Sequence, residues 1–517
     1  MIRRRAQPGD VYAVPLEDGT FTACQVVREL PRRRLQVVEF DWIGSEPPDL
    51  RQLEAAAPLR LRAHNLGPVI FETTEALPPR RFVWLGSTRP LAAPATEPPS
   101  WLSDWERALG RSAGRLQRPA DISFWEAIKR ANDNQRARWE ERVMIALDGE
   151  PQPVPLGCTE LNVYEAGPKT AGAIDRPDPG VYLFVRRGAE LQWSQLDQLE
   201  GLYTIRYRGR DRRFGDYLQH RWLLFEAAWL DHDVGHVSLG AARLRRFRVA
   251  TPRRGLKLEL PETIEELTVD VAGKAAELST THFLRGAGLR LTFRGAAPAL
   301  ISGLERLTRL HIQLDSTTLN LRDIPPLPEL DELRAWGRGG SLVGLEALAN
   351  FPRLRIIAFY EFFEFDAESF PPATTWPDLD TVEFHGLPVE NARLLRRRLR
   401  DVYRLRISGT RPAEWIEATR GNPFHHWVDR DPAIAHRACA AYVAAARSIA
   451  KIGADAPSED LETILKRFVA AFNRINRTGF VETVERDEIW AAFQQLAATA
   501  GLEPPEVQAR FDQWREF

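Results

Sequence analysis

LTRLHI, residues 307–312, places Leu307, Leu310 and Ile312 in an apolar-x-x-apolar-x-apolar frame that recurs along the middle of the chain. Clear copies are Leu244/Phe247/Val249, Ile264/Leu267/Val269, Leu354/Ile357/Phe359 and Leu379/Val382/Phe384. Weaker copies stand at Gly288/Leu291/Phe293, Leu330/Leu333/Ala335 and Val402/Leu405/Ile407, and successive frames begin 19 to 25 residues apart. Periods of that size mark units that cannot bury an apolar face alone and must pack against their neighbours. Each frame therefore predicts a short parallel strand whose apolar residues enter a shared core, with the alternate positions facing the other way. Leu202/Ile205/Tyr207 starts the series earlier, while RWLLFEAAWLDHDVGHVSL, residues 221–239, fits the frame badly and is expected to be a helical insertion.

The outward positions supply the candidate binding surface. Arg309, His311, Arg334, Trp336, Tyr360, Glu383, His385 and Arg406 are the expected partner-binding residues. Arg246, Arg248, Arg290 and Arg294 share that side, so arginine outnumbers acid there. Arginine and large aromatics are the residue types that carry most binding energy in protein interfaces. Any one such residue is ordinarily a solvated strand position; the bias across several strands carries the expectation. Eight strands about 4.8 Å apart and about 13 Å wide give roughly 450 Å², short of the roughly 800 Å² each partner buries in a standard interface. Another part of the chain, the N-terminal sheet first, is expected to contribute.

The chain has 517 residues, enough for roughly three or four folded units. Its 70 Lys and Arg balance 71 Asp and Glu, so no global field draws it to nucleic acid or an anionic membrane. MIRRRAQPGD is followed by strand-like sequence where a secretory signal would be apolar, and the most apolar run, ACAAYVAAARSIA, is broken by Arg447. A cytoplasmic protein without membrane contact is expected. Cys24, Cys158 and Cys439 are scattered and odd in number, which suits a reducing compartment and argues against disulfides or a cysteine zinc site.

No nucleophile elbow, Walker loop, CxxC pair or HExxH occurs, so no enzyme, cofactor or metal site is expected. Gly337, Gly339 and Gly340 read as a turn. His232 and His236 are spaced for one helix face beside Asp233, but no third metal ligand is indicated and Gly235 disfavours a helix. His425 and His426 are adjacent and diverge. FVETVERDEIW gathers Glu482, Glu485, Asp487 and Glu488 where a helix would begin, and a helix N-terminus favours negative charge without any substrate.

Flanking patterns divide the chain. Residues 1–89 alternate as short strands; 90–157 hold the proline-rich PLAAPATEPP, a helix over 123–147 capped by Asp121 or Ser123, and a second break at 149–157. Residues 158–412 contain the frames. From 413 to 517 the pattern is helical, with Ile464, Phe468, Phe472 and Ile475 on one stripe and Ile489, Phe493 and Leu496 on another.

Over residues 200 to 410 the frames resemble leucine-rich repeats, although the usual Asn is replaced near Ser316, Gly339 and Glu364. The expected fold class is thus α+β multidomain: an N-terminal small β-barrel or curved sheet, a central leucine-rich-repeat solenoid and a C-terminal all-α segment. GDVYAVPLEDGTFTACQVV, residues 9–27, resembles the start of the bacterial immunity protein 26 family: Gly9-Asp10, a strand ending at Leu16, the Asp18-Gly19 turn and a return strand. Trp84 and Gly86 in RRFVWLGSTRPL are similar to that family's closing strand. The resemblance implies stoichiometric binding of a toxin without turnover. Two other readings stay open: a regulatory scaffold or sensor with a different protein partner, and nucleic-acid binding along the Arg-rich face.

Overall fold

The computed structural model describes the chain except residues 1–4, 17–19, 31–33, 59–69, 74–76, 92–100, 103–126 apart from Trp105, 166–179, 252–254, 272–276, 297–299, 453–457, 500–503 and single positions at 129, 132, 136, 315 and 420. Twelve parallel strands make one sheet. Their spatial order is Val181–Val185, Glu160–Glu165, Thr204–Arg208, Glu226–Leu230, Arg246–Thr251, Glu266–Val271, Arg290–Gly295, Arg309–Leu314, Glu332–Trp336, Ile356–Tyr360, Thr381–His385 and Arg404–Ser408. The frames pair in register: Leu267 lies between Phe247 and Leu291, and Ile312 between Phe293 and Ala335. Burial sets that register, because a slip by one residue would put Arg309 and His311 in the core in place of Leu310 and Ile312.

Behind the sheet, His236–Ser238, Leu256–Glu259, Glu277–Thr281 and Leu300–Ser302 form a second parallel sheet. Helices Arg213–His220 and Val389–Arg398 and the 3-10 turn Leu345–Asn350 fill other connections. One apolar core runs between the layers from Ile145 to Val402, with Leu310, Ile357 and Val382 fully buried in it.

This architecture corrects the expected fold class. In place of a leucine-rich-repeat solenoid, the central region is an α/β-type fold on a broad parallel sheet, extended by Glu160–Glu165 and Val181–Val185 ahead of the frames. In place of a small barrel, the N-terminal sheet is open, and no closed barrel is found among the described residues. A three-residue apolar frame reports which side of a strand is buried. It carries no information about the segment that returns the chain, and these returns differ from one strand to the next. The expected helical insertion is also corrected: Glu226–Leu230 joins the sheet, its Ala227 and Trp229 buried in the core.

The N-terminal sheet has the order Val83–Ser87, Asp10–Pro15, Phe21–Leu30, Arg34–Glu39, Ile70–Thr73 and Trp101–Leu102, antiparallel except for the last pair. Its hairpin aligns Val11 with Gln25 and Pro15 with Phe21; the Asp18-Gly19 turn lies outside the described residues. Both faces are covered, by Tyr12, Val14, Val26 and Trp105 on one side and Val11, Ala23, Phe40 and Leu53 on the other. Arg80 N donates to Asp380 Oδ1 at 3.1 Å and ties this unit to the large sheet.

The expected 123–147 helix ends earlier. Arg142–Ile145 pairs antiparallel with Gln152–Pro155, because Val143, Ile145 and Leu147 alternate and Asp148-Gly149 turns the chain. That hairpin finishes the edge of the large sheet: Gln152 Nε2 donates to Phe184 O at 2.6 Å, and Gln152 Oε1 accepts from Phe184 N at 3.1 Å. One side-chain amide thus substitutes for a neighbouring strand at an otherwise open edge. The expected caps Asp121 and Ser123, and most of the proline-rich segment, lie outside the described residues.

At the C-terminus, helices Pro432–Ile452, Ser458–Asn476, Thr483–Thr499 and Pro504–Trp514 enclose a separate core around Phe468, Phe472, Ile489, Phe493 and Phe511. Asp431 Oδ1 caps the first of them, accepting from Ala433 N and Ile434 N at 2.9 Å. No helix of the described residues is long and apolar enough to cross a membrane.

Candidate protein-binding face

Parallel in-register pairing lines the outward side chains into rows across the sheet. The first row reads Glu226, Arg246, Glu266, Arg290, Arg309 and Glu332. Strands about 4.8 Å apart let one guanidinium reach carboxylates on both sides. Arg246 lies 3.9 Å from Glu226 and 3.5 Å from Glu266, and Arg290 lies 2.6 Å from Glu266. Arg206 bridges Glu160 at 3.3 Å and Glu226 at 3.1 Å. Arg309 Nη2 donates to Gly288 O at 2.7 Å. The arginine excess read from the sequence is therefore largely an alternating ion-pair ladder, which breaks up a continuous cationic stripe.

The middle row carries His311, Arg334, Ala358, Glu383 and Arg406. Arg334 is the hub. Its Nε donates to Glu332 Oε1 at 2.7 Å, its Nη1 to Tyr360 Oη at 3.2 Å, and Nη1 lies 3.6 Å from Glu383 Oε2. His311 Nε2 lies 2.7 Å from the same Glu332 oxygen; Tyr360 Oη donates to Glu383 Oε2 at 2.8 Å, and Arg406 approaches Glu383 Oε1 at 3.8 Å. Above this network Trp336 stacks on Tyr360, with ring centres 5.1 Å apart and planes 9° apart, and His311 meets the indole edge-on at 5.6 Å.

All eight expected residues thus lie on one face, but in different roles. His311 and Arg334 are each only 7% exposed, so they brace the face from within. Trp336, Tyr360, Arg309, Glu383, His385 and Arg406 are half-buried and form its accessible part. His385 Nδ1 lies 3.1 Å from Ser408 Oγ at the far edge.

Charge follows burial here. Desolvation would raise the Glu332 carboxyl, but the hydrogen bond from His311 and the charge of Arg334 hold it well below its ordinary value. Burial lowers His311, with Arg290 and Arg334 adding to the effect against Glu332. Tyr360 is raised by burial and stays a neutral donor to Glu383.

A cleft of about 530 Å³ adjoins Trp336 at the carboxyl ends of the strands. Its Asp270, Arg338 and Glu361 were not singled out by the apolar frames. Arg338 and Glu361 sit just past their strands in left-handed backbone, φ +46° and +56°, and only the short spacing after the frame hints at them. Gly340 belongs to the same turn, where an added Cβ would stand 2.2 Å from Thr317 O.

The other sequence candidates have structural partners. His232 Nδ1 accepts from Val234 N at 3.2 Å, and His236 opens a short strand, exposed. Glu488 holds His426 Nε2 at 2.9 Å and Trp427 Nε1 at 2.6 Å, while Arg430 engages Glu482 at 3.1 Å and Glu485. These carboxylates fasten the 425–429 turn to the helical bundle. His425 Nε2 lies 3.4 Å from Glu361 and links that turn back to the sheet.

The histidines predict opposite pH responses in the two cores. His232, His282 and His311 are all lowered, by burial first. Their unfolded value is about 6.5, so their contribution is full above that pH and is lost as pH falls through the lowered folded values. Burial also opposes the charge on His426, but Glu488 and Glu361 outweigh it and raise the pKa. Its contribution is full below the ordinary value and is lost as pH rises through the raised one. Hydrogen exchange at pH 7.5 and 5.5 is expected to show the sheet losing protection on acidification relative to the 432–514 helices. Equal changes in both would contradict this assignment.

No family model matches the chain, and no curated protein matches it.

Proposed function

We propose that this chain is a non-catalytic recognition protein that binds another protein through the face centred on Trp336 and Tyr360. The observation that carries the reading is the stacked indole–phenol pair, held from behind by buried Arg334 and its half-buried partners Glu332 and Glu383. Rigid aromatic anchors surrounded by groups that already satisfy one another lose little conformational freedom on binding. Twelve strands about 4.8 Å apart outline a face about 53 Å long and about 13 Å wide, roughly 690 Å² at most because Asn162, Tyr164, Ala228 and Ala358 on it are buried. Neighbouring loops must supply the rest of the roughly 800 Å² of a standard partner. The alternating ladder favours a protein over a polyanion, since its guanidinium groups already face carboxylates.

The partner class follows from the N-terminal resemblance: a bacterial toxin, neutralised by one-to-one binding in the cytoplasm. Three free buried cysteines suit a reducing compartment. Capture of the tagged full chain from its native host is expected to retain one protein in near-equal amount. That protein, expressed alone, is expected to arrest growth and to be relieved by co-expression of this chain. A stoichiometric partner that is harmless alone would favour the scaffold reading; no stoichiometric partner would overturn protein binding.

A further inference from the structure

The two edges of the large sheet are finished differently. At one, Gln152 takes both outward main-chain groups of Phe184, and Leu183 and Val185 are buried beside the 142–155 hairpin. At the other, Arg404–Ser408 ends the sheet. Its frame residues Leu405 and Ile407 are half-buried, although Val382 and Phe384 one strand in are fully buried. Arg404 N donates to Asp380 O at 2.8 Å and Ser408 O accepts from Gly386 N at 3.1 Å, so in a parallel ladder the amides and carbonyls of Leu405 and Ile407 point outward. Arg396 Nη2 donates to Ile407 O at 3.3 Å; among the described residues no other group bonds to these four. Such an edge is a template for one more strand.

The charge beside the edge selects that strand. Helix Val389–Arg398 turns Asn391 and Arg398 toward the 365–370 turn, where they donate to Phe365 O at 3.0 Å and Phe370 O at 2.7 Å. Arg393, Arg396 and Arg397, with Arg400 just past the helix, follow i, i+3, i+4, i+7 spacing and form an exposed stripe away from that turn, on the side of Ile407. These four guanidinium groups stand against the exposed carboxylates Glu390 and Asp401. A helix dipole favours cations in the last turn alone, and Arg393 and Arg400 lie outside it. A second copy paired across a two-fold axis would bring two arginine stripes together, which like charge opposes.

We propose that, within the protein binding inferred above and resting on it, the Arg404–Ser408 edge takes an extended acidic segment of the partner, its main chain on Leu405 and Ile407 and its carboxylates on Arg396, Arg397 and Arg400. Fluorescence anisotropy of the full chain at low salt with two labelled octapeptides, one alternating glutamate and valine and the other lysine and valine, tests the edge. The glutamate peptide is expected to bind more tightly than about 1 mM, and at least about tenfold more tightly than the lysine peptide. Ile407→Pro removes an outward N–H without breaking the ladder, and is expected to weaken the glutamate peptide about tenfold or more. Arg396→Glu/Arg400→Glu is expected to reverse the preference between the peptides; both positions are exposed, so this variant decides the matter even if Ile407→Pro fails to fold. No glutamate peptide bound below about 1 mM, equal binding of the two peptides, binding unchanged in a folded Ile407→Pro chain, or a preference unchanged in the reversed variant would overturn the proposal. Wild-type dimers that Ile407→Pro abolishes would overturn it in favour of a second copy. The peptides stand apart from any native partner, so their failure to bind would leave a partner captured through Trp336 in place, and failed capture would leave the peptide result in place.

Discussion

Arg334→Ala is expected to destabilise the large sheet by about 3–5 kcal/mol, the usual consequence of removing one partner from a buried charge network. The side chain is 8% exposed and serves Glu332, Tyr360 and Glu383 together. Its loss leaves the Glu332 carboxylate, 14% exposed, facing His311 at 2.7 Å without the guanidinium, and removes a donor that holds Tyr360 beneath Trp336. Urea unfolding followed by tryptophan fluorescence measures the change. The double variant Arg334→Met/Glu332→Gln is expected to recover part of the loss, because it removes the orphaned charge as well as its partner. A change below about 1 kcal/mol for Arg334→Ala would show that the pair is solvated like a surface ion pair. The prediction also governs how binding variants are chosen, since a loss of partner binding in Arg334→Ala would report a disturbed face.

Asp10→Ala is expected to destabilise the N-terminal sheet by about 1–3 kcal/mol, the cost of leaving the buried Tyr12 hydroxyl without its acceptor and of losing the weaker shares of three exposed donors. Asp10 is 1% exposed. Its Oδ1 accepts from Ser87 Oγ at 2.7 Å and Trp84 Nε1 at 3.2 Å, and its Oδ2 from Gln7 N at 2.9 Å and Tyr12 Oη at 3.4 Å. Gln7, Trp84 and Ser87 are exposed, so water recovers part of their share. Asp10→Asn keeps an acceptor and is expected to lose about half as much. Limited proteolysis within residues 5–91, compared with the rest of the chain, separates this local effect from global unfolding. Gly9 is fixed by the same junction: its φ is +92°, and a Cβ there would stand 2.5 Å from Thr88 O. Gly9-Asp10 and Trp84 thus meet in one structural junction between the Asp10–Pro15 and Val83–Ser87 strands.

That junction illustrates what could be read in the amino-acid order. Leu310 and Ile312 identify their strand because the apolar spacing is the physical cause of the parallel register. The alternate residues on the same strand consequently fall on the open face. The ion-pair ladder was illegible for a different reason. Counting arginines on a face ignores neighbours, and only the register puts Glu266 between Arg246 and Arg290. The first two strands were missed because the frame before Glu160–Glu165 opens on Cys158 in place of an aliphatic residue, and Val181–Val185 has no apolar residue at the leading position. Likewise Trp125, Ile128, Trp139 and Val143 mimic helical spacing, while the local alternation of Val143, Ile145 and Leu147 prevails once Gln152–Pro155 offers a partner strand. The rim of the cleft depends on left-handed backbone at Arg338 and Glu361, residue types that do not announce such turns.

The account centres on Trp336 as the anchor of a protein-binding face, and the most direct measurement is parallel capture from the native host with wild-type chain and Trp336→Ala. Removing the half-buried indole leaves the Arg334 hydrogen bonds in place, so unfolding curves are expected to stay close to wild type while the stoichiometric partner is lost or weakened at least about thirtyfold, the equivalent of 2 kcal/mol for a central aromatic anchor. Retention of the same protein in the same amount by both chains would contradict the central claim.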